Sequence, residues 1–347
     1  MDTQERKNLL ASLNRLAPSD RDRLMRRAAE LRAQIPRSRD EDARRPPSIE
    51  EFALRLLAQE SRAEHGLVLA VARGRATILL NGETQDLPLS NDLTRRQQSE
   101  IAVGDEAAVD KGRVIAVSKR RTWLGRPDPH TGRERILVAN VDAIVHVVSV
   151  VAPPLHPRII DRMLVAVGRG GAEYILAVTK LDLPGAEEDM AKLNDYRAHL
   201  PLFEASAQDG RGVEQLREGI AGKMVAFVGH SGVGKSSLLN AVVGSGIAKA
   251  GDVSEGYGRG THTTTSSTLY DLGKGTRIID TPGIRSLGLG RVEVEELKEA
   301  FPEFGAYRCR FRDCAHGEEP GCAVREAVEM GDLSKFRFDT YQRLRES

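Results

Sequence analysis

Cysteine, excess charge of one sign and long apolar runs are all scarce in this chain of 347 residues. Three cysteines, an odd number, argue against a framework of disulfide bonds. A net charge of +1 excludes binding of nucleic acid through overall basicity, although local basic patches can still exist. No run of about 18 apolar residues occurs, and the charged N-terminus does not look like a secretory signal. We therefore expect a soluble, cytoplasmic protein of two or three domains, without a membrane span.

A glycine-rich segment at residues 229–236, with the sequence GHSGVGKS, is the strongest signal in the chain. It follows an apolar run at 224–228 and precedes a helical pattern at 237–243, which is the setting of a phosphate loop. In such a loop backbone N–H groups bind phosphate oxygens, Lys235 reaches the β and γ phosphates, and the Ser236 hydroxyl ligates Mg²⁺. We predict a nucleoside triphosphate site with contacts from Gly229, Ser231, Gly232, Val233, Gly234, Lys235, Ser236 and Ser237.

Two upstream segments indicate which base is bound. Thr179-Lys180-Leu181-Asp182 follows a predicted strand and resembles the guanine-specificity sequence of GTPases, Asn/Thr-Lys-x-Asp. The Asp182 carboxylate can accept hydrogen bonds from guanine N1–H and N2–H₂, a pair that adenine does not offer. The stem of Lys180 can lie over the base, and the pair Ser206-Ala207 looks like the second loop that contacts guanine. The expected ligands are GTP and GDP.

Two segments after the phosphate loop complete the predicted nucleotide site. Residues 256–265 are rich in glycine and threonine, which indicates a mobile loop whose hydroxyls are available to a metal ion. A predicted strand at 277–279 runs into Asp280-Thr-Pro-Gly283, where Asp280 suits a contact through a water of Mg²⁺ and the Gly283 N–H can sense the γ phosphate. Because the guanine segments precede the phosphate loop, the order is circularly permuted.

All three cysteines and one histidine fall in the pattern Cys309-x4-Cys314-x-His316-x5-Cys322. Three thiolates and an imidazole at this spacing predict a structural zinc site with four protein ligands. The alternative is three unrelated buried thiols. Nearby side chains offer RNA a basic surface, Arg308, Arg310 and Arg312, which is partly offset by the acids Asp313, Glu318 and Glu319.

The chain before the nucleotide segments has two parts. Residues 1–62 form a charged helical extension, either an arm that touches an anionic partner or a solvated, partly disordered segment. Residues 63–125 contain four or five short strands separated by turn signals, which predict an all-β barrel of the OB type. RNA could bind its basic run of Lys119, Arg120, Arg121 and Arg126 around Trp123. The alternative is a purely structural barrel, and the absence of earlier aromatics excludes a stacking platform for single strands.

The remaining domains are an α/β GTPase domain at 126–290 and a small helical zinc-binding domain at 291–347. The order of barrel, permuted GTPase domain and cysteine–histidine segment resembles the RsgA-type GTPases that act on the small ribosomal subunit. The resemblance covers about residues 65–345. It implies GTP hydrolysis stimulated by the 30S subunit, a role in late 30S maturation and contacts with 16S rRNA. We expect a monomer.

The resemblance also implies catalytic positions. The threonine that closes over Mg²⁺ is Thr264, with Thr263 or Thr265 as alternatives, and Gly283 senses the γ phosphate. Ile284 stands where Ras-like GTPases place a glutamine that orients water, so we predict slow intrinsic turnover. His262 is the candidate for positioning water, or else an exposed loop histidine, because Gly260 and Thr261 split the family's usual Gly-Arg-His-Thr-Thr-Thr. A GTP-dependent metabolic or signalling enzyme and an ATPase are the other hypotheses.

Overall fold

The computed structural model describes residues 3–33, 48–91, 93–94, 101–127, 134–186, 190, 193–244, 249–250, 268–280, 297 and 301–345. The first described elements are the helices α1 (Thr3–Arg15), α2 (Pro18–Ala33) and α3 (Ile49–Arg62). The Ser48 hydroxyl accepts a hydrogen bond from the Glu51 backbone N–H at 3.1 Å, which caps the start of α3. Apolar side chains at helical spacing form a small shared core: Leu13, Leu24, Ala28, Ala53 and Leu54.

A five-stranded barrel follows these helices. Its strands are β1 (Glu64–Ala72), β2 (Arg75–Leu80), β3 (Glu83–Pro88), β4 (Glu106–Asp110) and β5 (Arg113–Val117). They pair in the order β3-β2-β1-β4-β5, and a parallel bridge between Leu89 and Val114 joins the end of β3 to β5. This closed order is that of an OB-type barrel, as predicted. The hairpin turns at 81–82 and 111–112 have both residues at positive φ, which suits Asn-Gly and Lys-Gly.

The N-terminal helices lie against β5. Arg23 and Arg27 on α2 donate hydrogen bonds to the carbonyl oxygens of Val117 and Ile115, at 2.7 and 2.6 Å. These two hydrogen bonds hold α2 against the backbone of β5. The described part of the extension is therefore folded and packed on the barrel.

A hairpin of β6 (Trp123–Pro127) and β7 (Glu134–Ala139) lies between the barrel and the next sheet. Two glycines allow the close backbone approaches that hold it there. A Cβ at Gly104 would lie 2.0 Å from the Ala139 carbonyl oxygen, and one at Gly170 would lie 1.6 Å from that of Trp123. Neither position can carry a side chain without moving the hairpin.

The second sheet has seven strands, in the order β10-β9-β8-β11-β14-β13-β12. They are β8 (Ala143–Ser149), β9 (Glu173–Thr179), β10 (Leu202–Glu204), β11 (Met224–Gly229), β12 (Lys249–Ala250), β13 (Thr268–Gly273) and β14 (Thr276–Asp280). The first five in spatial order are parallel, whereas β13 and β12 are antiparallel to their neighbours. Parallel strands place their carboxyl ends at one edge, which is where ligands bind in such sheets.

Helices cover both faces of this sheet. They are α4 (Pro157–Arg169), α5 (Asn194–His199), α6 (Val213–Gly219) and α7 (Lys235–Val243). Successive residues of β8 point to opposite faces, so Ile144 and Val148 pack with Ile160 of α4, whereas Val145 packs with Leu238 of α7. Burial on both faces explains the continuous apolar sequence of β8.

The C-terminal module contains a 3₁₀ turn (Pro302–Ala306), α8 (Ala323–Met330) and α9 (Lys335–Arg345). Its core includes Phe301, Phe304 and Tyr341, and Val165 of α4 belongs to the same cluster. Arg343 on α9 forms an ion pair with Asp161 of α4 at 2.6 Å. The module is therefore packed directly on the sheet domain.

The predicted strands and helices are found in the described residues, with most ends shifted by a few positions. The apolar run at 143–151 predicts a strand of that length, but the strand ends at Ser149 because a turn occupies the next residues. Strands β3, β6, β7, β12 and β13 had no separate prediction. Within the part of the chain that the structure describes, no helix combines the length and apolar character needed to cross a membrane. The domain boundaries stay a prediction.

Candidate functional site

The phosphate loop lies between the end of β11 at Gly229 and the start of α7 at Lys235. Gly232 and Gly234 have φ of +85° and +86°, in the left-handed region that favours glycine. Gly229 meets a different demand, since a Cβ there would lie 2.6 Å from the Val147 carbonyl oxygen. The loop turns into the first turn of α7, whose free N–H groups are suited to bind an anion. Ser231, Ser236 and Ser237 line its outer side, and Val233 is buried.

The predicted guanine segment lies against this loop. Thr179, the last residue of β9, is buried, and its hydroxyl is 3.0 Å from the Val148 carbonyl oxygen. The same hydroxyl contacts the carbonyl oxygen of Val233, inside the phosphate loop. A Cβ at Gly234 would lie 3.5 Å from the Thr179 Oγ1 atom. Two segments 54 residues apart in sequence are thereby joined by one side chain.

Both base-reading segments meet beside Thr179. Asp182 is exposed, and its Oδ1 atom accepts a hydrogen bond from the Ser206 hydroxyl at 3.2 Å. Ser206 is buried and Ala207 is half-buried directly after it. Lys180 has φ of +61°, and its ammonium group donates to the Ala152 carbonyl oxygen. The arrangement places the Asp182 carboxylate beside the turn that begins at Ser206, and a carboxylate can accept hydrogen bonds from two N–H groups of guanine.

Lys235 forms an ion pair with Asp280 at the carboxyl edge of the sheet. Asp280 ends β14, which pairs in parallel with β11, so its carboxylate comes to the same edge as the loop. Mg²⁺ prefers oxygen ligands, and the Ser236 hydroxyl and the Asp280 carboxylate are ligands of that kind. These two side chains therefore suit the metal ion that accompanies a nucleotide.

Three predicted catalytic residues, His262, Thr264 and Gly283, lie outside the described residues, as does Ile284. Their roles stay predictions. The structure adds a segment that the sequence had not indicated, where Pro153 approaches Gly232 of the phosphate loop. The Ser149 hydroxyl donates to the Pro153 carbonyl oxygen at 2.8 Å and so holds the turn after β8. The Ala-Pro-Pro sequence after an apolar strand was the available signal for a turn at this edge.

The cysteine–histidine cluster assembles as predicted. One ligand atom from each of Cys309, Cys314, His316 and Cys322 lies within 4.8 Å of all the others. The His316 Nδ1 atom is 3.5 Å from the Cys309 sulfur and 3.6 Å from the Cys322 sulfur. A tetrahedral zinc with bonds of about 2.3 Å to sulfur and 2.0 Å to nitrogen needs ligand separations of about 3.5–3.8 Å. The four residues therefore fit a zinc ion.

Neighbouring groups hold the ligand loop in place. The Glu319 carboxylate accepts hydrogen bonds from the N–H groups of Ala315 and Gly317, at 3.1 and 2.6 Å. The Tyr341 hydroxyl on α9 donates to the Ala315 carbonyl oxygen at 3.0 Å. Burial raises the pKa of the Cys314 thiol to about 12, so metal binding must displace its proton.

Comparisons with known proteins agree with this geometry. A family model described as RsgA GTPase matches residues 117–290. The chain is 41% identical over 269 residues to "Small ribosomal subunit biogenesis GTPase RsgA" from Haemophilus influenzae, covering 73% of this chain and 77% of the relative. A relative of the same name from Pseudomonas putida is 43% identical over 237 residues, covering 67% and 68%. The chain belongs to the RsgA GTPase family.

Two solved structures resemble this RsgA family member over most of its length. The crystal structure of YjeQ from Thermotoga maritima has a TM-score of 0.61 and 33% identity, and covers 82% of this chain and 97% of that chain. The crystal structure of YloQ, a circularly permuted GTPase, has a TM-score of 0.57 and 26% identity, covering 83% and 95%. The predicted enzyme class, a GTP hydrolase, and the permuted order are thus confirmed.

In this RsgA family member the basic run after the barrel is largely neutralised. Lys119 pairs with Asp20 at 3.5 Å, Arg120 with Asp105 at 2.7 Å, and Arg121 with Asp142 at 3.1 Å. Asp105 is fully buried, and burial raises its pKa above the ordinary value while the Arg120 guanidinium opposes the rise. Trp123 donates its backbone N–H to the Gly170 carbonyl oxygen at 3.0 Å. These contacts favour the alternative that the run is structural.

Proposed function

We propose that this GTPase acts on the small ribosomal subunit and hydrolyses GTP to assist late 30S maturation, as a cytoplasmic monomer. The observation that carries the proposal is the contact of the Thr179 hydroxyl with the Val233 carbonyl oxygen, which holds the guanine segment against the phosphate loop. That contact brings the residues proposed to bind guanine next to those proposed to bind the phosphates. The small ribosomal subunit enters the proposal because the relatives are named for the biogenesis of that subunit. Contacts with 16S rRNA belong to the same proposal.

Recognition of the base falls to the pair of loops at the ends of β9 and β10. Asp182 accepts hydrogen bonds from the guanine N1–H and N2–H₂ groups, while the Ala207 backbone N–H donates to the guanine O6 atom. The Ser206 N–H already donates to the Arg211 carbonyl oxygen at 2.9 Å. Lys180 lies along the base plane, and Thr179 keeps the segment in register with the phosphate loop. Adenine offers no such pair of N–H donors to the carboxylate, which gives the site its preference for guanine.

Binding of the triphosphate falls to the residues between Gly229 and Ser237. Backbone N–H groups of the loop and of the first turn of α7 surround the phosphates, and the Lys235 ammonium group neutralises the β and γ phosphate charge. Ser236 and Asp280 would hold Mg²⁺, which would supply further neutralisation of the phosphate oxygens. We assign closure over the metal to Thr264, γ-phosphate sensing to Gly283 and water positioning to His262.

The cysteine–histidine cluster holds zinc for structural reasons. With four protein ligands the metal has no open position for a substrate. Cys309, Cys314, His316 and Cys322 thus fix a loop beside the aromatic core of the C-terminal module. The surface of the C-terminal module is available for contact with the ribosomal subunit.

The proposal is tested by measuring GTP turnover against the concentration of 30S subunits, with 50S subunits as the matched control. We expect slow turnover of the chain alone and a saturable rise with 30S only. Lys235→Ala should abolish both rates, because it removes a charge that stabilises the transferring phosphoryl group. Equal rates with and without 30S would refute the proposal and favour a GTP-dependent metabolic or signalling enzyme.

A further inference from the structure

One aromatic ring stands exposed on the C-terminal module. Phe311 is 44% exposed, although phenylalanine is usually a buried residue. The arginines Arg308, Arg310 and Arg312 flank it in sequence, and the Arg310 guanidinium carbon lies 5.6 Å from the centre of the ring. We name residues 308–312 the Phe311 loop. The Phe311 loop thus combines planar guanidinium groups with a planar aromatic ring, and both kinds of group can stack on another planar group.

The Phe311 loop is held at both ends. Cys309 and Cys314 belong to the metal-ligand cluster, and they flank the ring on either side. The Arg310 N–H donates to the Gly321 carbonyl oxygen at 3.0 Å, and the Cys314 N–H donates to that of Phe311 at 3.3 Å. The ring is therefore displayed by a fixed backbone, which lowers the entropy lost when it binds a partner.

The arginines of the Phe311 loop have acids near them in sequence, Asp313, Glu318 and Glu319, but they form no ion pair with these acids. Within the described part of the chain, no carboxylate forms an ion pair with Arg308, Arg310 or Arg312. The Glu319 carboxylate instead accepts two backbone hydrogen bonds inside the ligand loop. Its own backbone N–H and these two bonds lower its pKa. This contrasts with the run at 119–121, where each cation has an acid partner.

We propose that the Phe311 loop binds an unpaired nucleotide of RNA. The Phe311 ring and the Arg310 guanidinium stack on the base, while Arg308 and Arg312 contact the flanking phosphates. An apolar pocket on a protein is a poorer partner, because burying the ring there would remove water from three charged groups. The inference rests on the proposed function, since it names the part of the chain that meets ribosomal RNA.

The first test compares Phe311→Ala, Phe311→Tyr and Met330→Ala. Met330 is a matched control, an apolar side chain of the same module that is 70% exposed. Binding is measured by fluorescence anisotropy of a labelled single-stranded RNA of about 12 nucleotides, of a duplex of that length, and by co-sedimentation with 30S subunits. Phe311→Ala should weaken single-strand and 30S binding about tenfold, because one stacked base is lost. Phe311→Tyr and Met330→Ala should bind like the parent chain.

The outcomes separate this inference from the proposed function. Unchanged RNA binding by Phe311→Ala overturns the inference, even when 30S subunits still stimulate GTP turnover. Weaker 30S binding with unchanged RNA binding also overturns it, because the ring would then contact a ribosomal protein. A parent chain that 30S does not stimulate refutes the proposed function, whereas the oligonucleotide assay still tests the Phe311 loop. Unaltered zinc content and basal GTP turnover show that the variants are folded.

The second test uses the salt dependence of RNA binding. Arg308→Ala and Arg312→Ala should each reduce the slope of log affinity against log salt by about 0.7, the value for one phosphate contact on a single strand. Phe311→Ala should leave the slope unchanged, because stacking releases no counterions. A slope that either arginine variant leaves unaltered would contradict the assigned phosphate contacts.

Discussion

His146 is a fully buried polar residue in the middle of β8. Its Nδ1 atom lies 2.8 Å from the Tyr174 hydroxyl, and its Nε2 atom has no partner among the described residues. Burial, with a smaller effect of His230 in the phosphate loop, lowers the pKa of His146 from 6.5 to about 3. The ring therefore stays neutral beneath the nucleotide site at physiological pH.

This lowered pKa predicts a loss of stability in mild acid. Between pH 6.5 and 3 the unfolded chain binds a proton at this histidine and the folded chain does not. Stability from the group is thus fully present above pH 6.5 and falls as the pH drops, by about 2 kcal/mol between pH 7 and pH 5. The free energy of unfolding, measured in urea, should therefore change less between pH 7 and pH 5 for the double variant His146→Leu/Tyr174→Phe than for the parent, by about 2 kcal/mol. The single variant Tyr174→Phe should behave like the parent. If the free energy of unfolding changes equally with pH in all three chains, His146 is not the source of the pH dependence.

Single residues of the site differ in how far the sequence could predict them. The glycines were predictable, because Gly232 and Gly234 need positive φ and the spacing of the motif encodes that need. The contact between Thr179 and Val233 was not, because it depends on how two distant strands pack. The ion pairs of Lys119 and Arg121 were hidden for the same reason, since their acid partners are far away in sequence.

At the scale of elements, α4 connects the C-terminal module to the nucleotide site. Asp161 of α4 is fully buried and binds Arg343 of α9, and the Tyr196 hydroxyl donates to it at 2.7 Å. The segment just before α4 contacts the site, because the Ala152 carbonyl oxygen accepts from Lys180. The chain that follows Asp280 is one connection between the site and this module, since the module comes next in sequence. The ion pair on α4 is a second connection.

Breaking this ion pair should be costly. Arg343→Met leaves the Asp161 carboxylate buried without its partner, so we expect a loss of about 3–5 kcal/mol in the free energy of unfolding. The double variant Asp161→Leu/Arg343→Met should lose much less, because no charge remains buried. Lys335→Met on the same helix is the control, since its exposed pair with Asp339 is worth about 0.5 kcal/mol. If urea titrations give Arg343→Met and Lys335→Met the same loss in free energy of unfolding, the ion pair of Arg343 with Asp161 does not have this stabilising role.

The ligand cluster makes a prediction about metal removal. Cys322→Ser, or treatment with a chelator, should release one zinc per chain and make the module at 301–345 sensitive to protease. GTP binding should be retained, because none of the nucleotide-site residues belongs to that module. Atomic absorption and limited proteolysis measure the two effects. Purified parent chain without zinc, and with all three thiols reactive, would contradict the structural role of the cluster.

The sequence predicted some elements better than others for physical reasons. The apolar runs of β8, β9 and β11 indicated buried strands, because both of their faces are covered by helices. Strand β3 is mostly polar and lies at one end of the hydrogen-bonded strand order, so no apolar pattern marked it. Its structure comes from pairing with β2 along its length. Such pairing is a tertiary effect that local sequence does not show.

For the whole molecule, the sheet makes the order of the motifs irrelevant to the geometry of the site. β9 and β10 carry the guanine segments, β11 carries the phosphate loop and β14 carries Asp280, all ending at one edge. Parallel pairing fixes that edge whichever strand comes first along the chain. The permutation changes only which part of the chain is attached after the γ-phosphate segment, and here that part is the metal-binding module.

The central claim is that Asp182 reads guanine, and nucleotide competition with Asp182→Asn tests it most directly. The amide can donate to the C2 oxygen of xanthine but cannot accept both guanine N–H groups. GTP binding should therefore weaken about 100-fold and xanthosine triphosphate binding should improve. Asp271→Asn, an exposed carboxylate on β13, is the control and should bind GTP normally. The claim would be contradicted if Asp182→Asn kept the nucleotide preference of the parent, with GTP bound more tightly than ATP and xanthosine triphosphate.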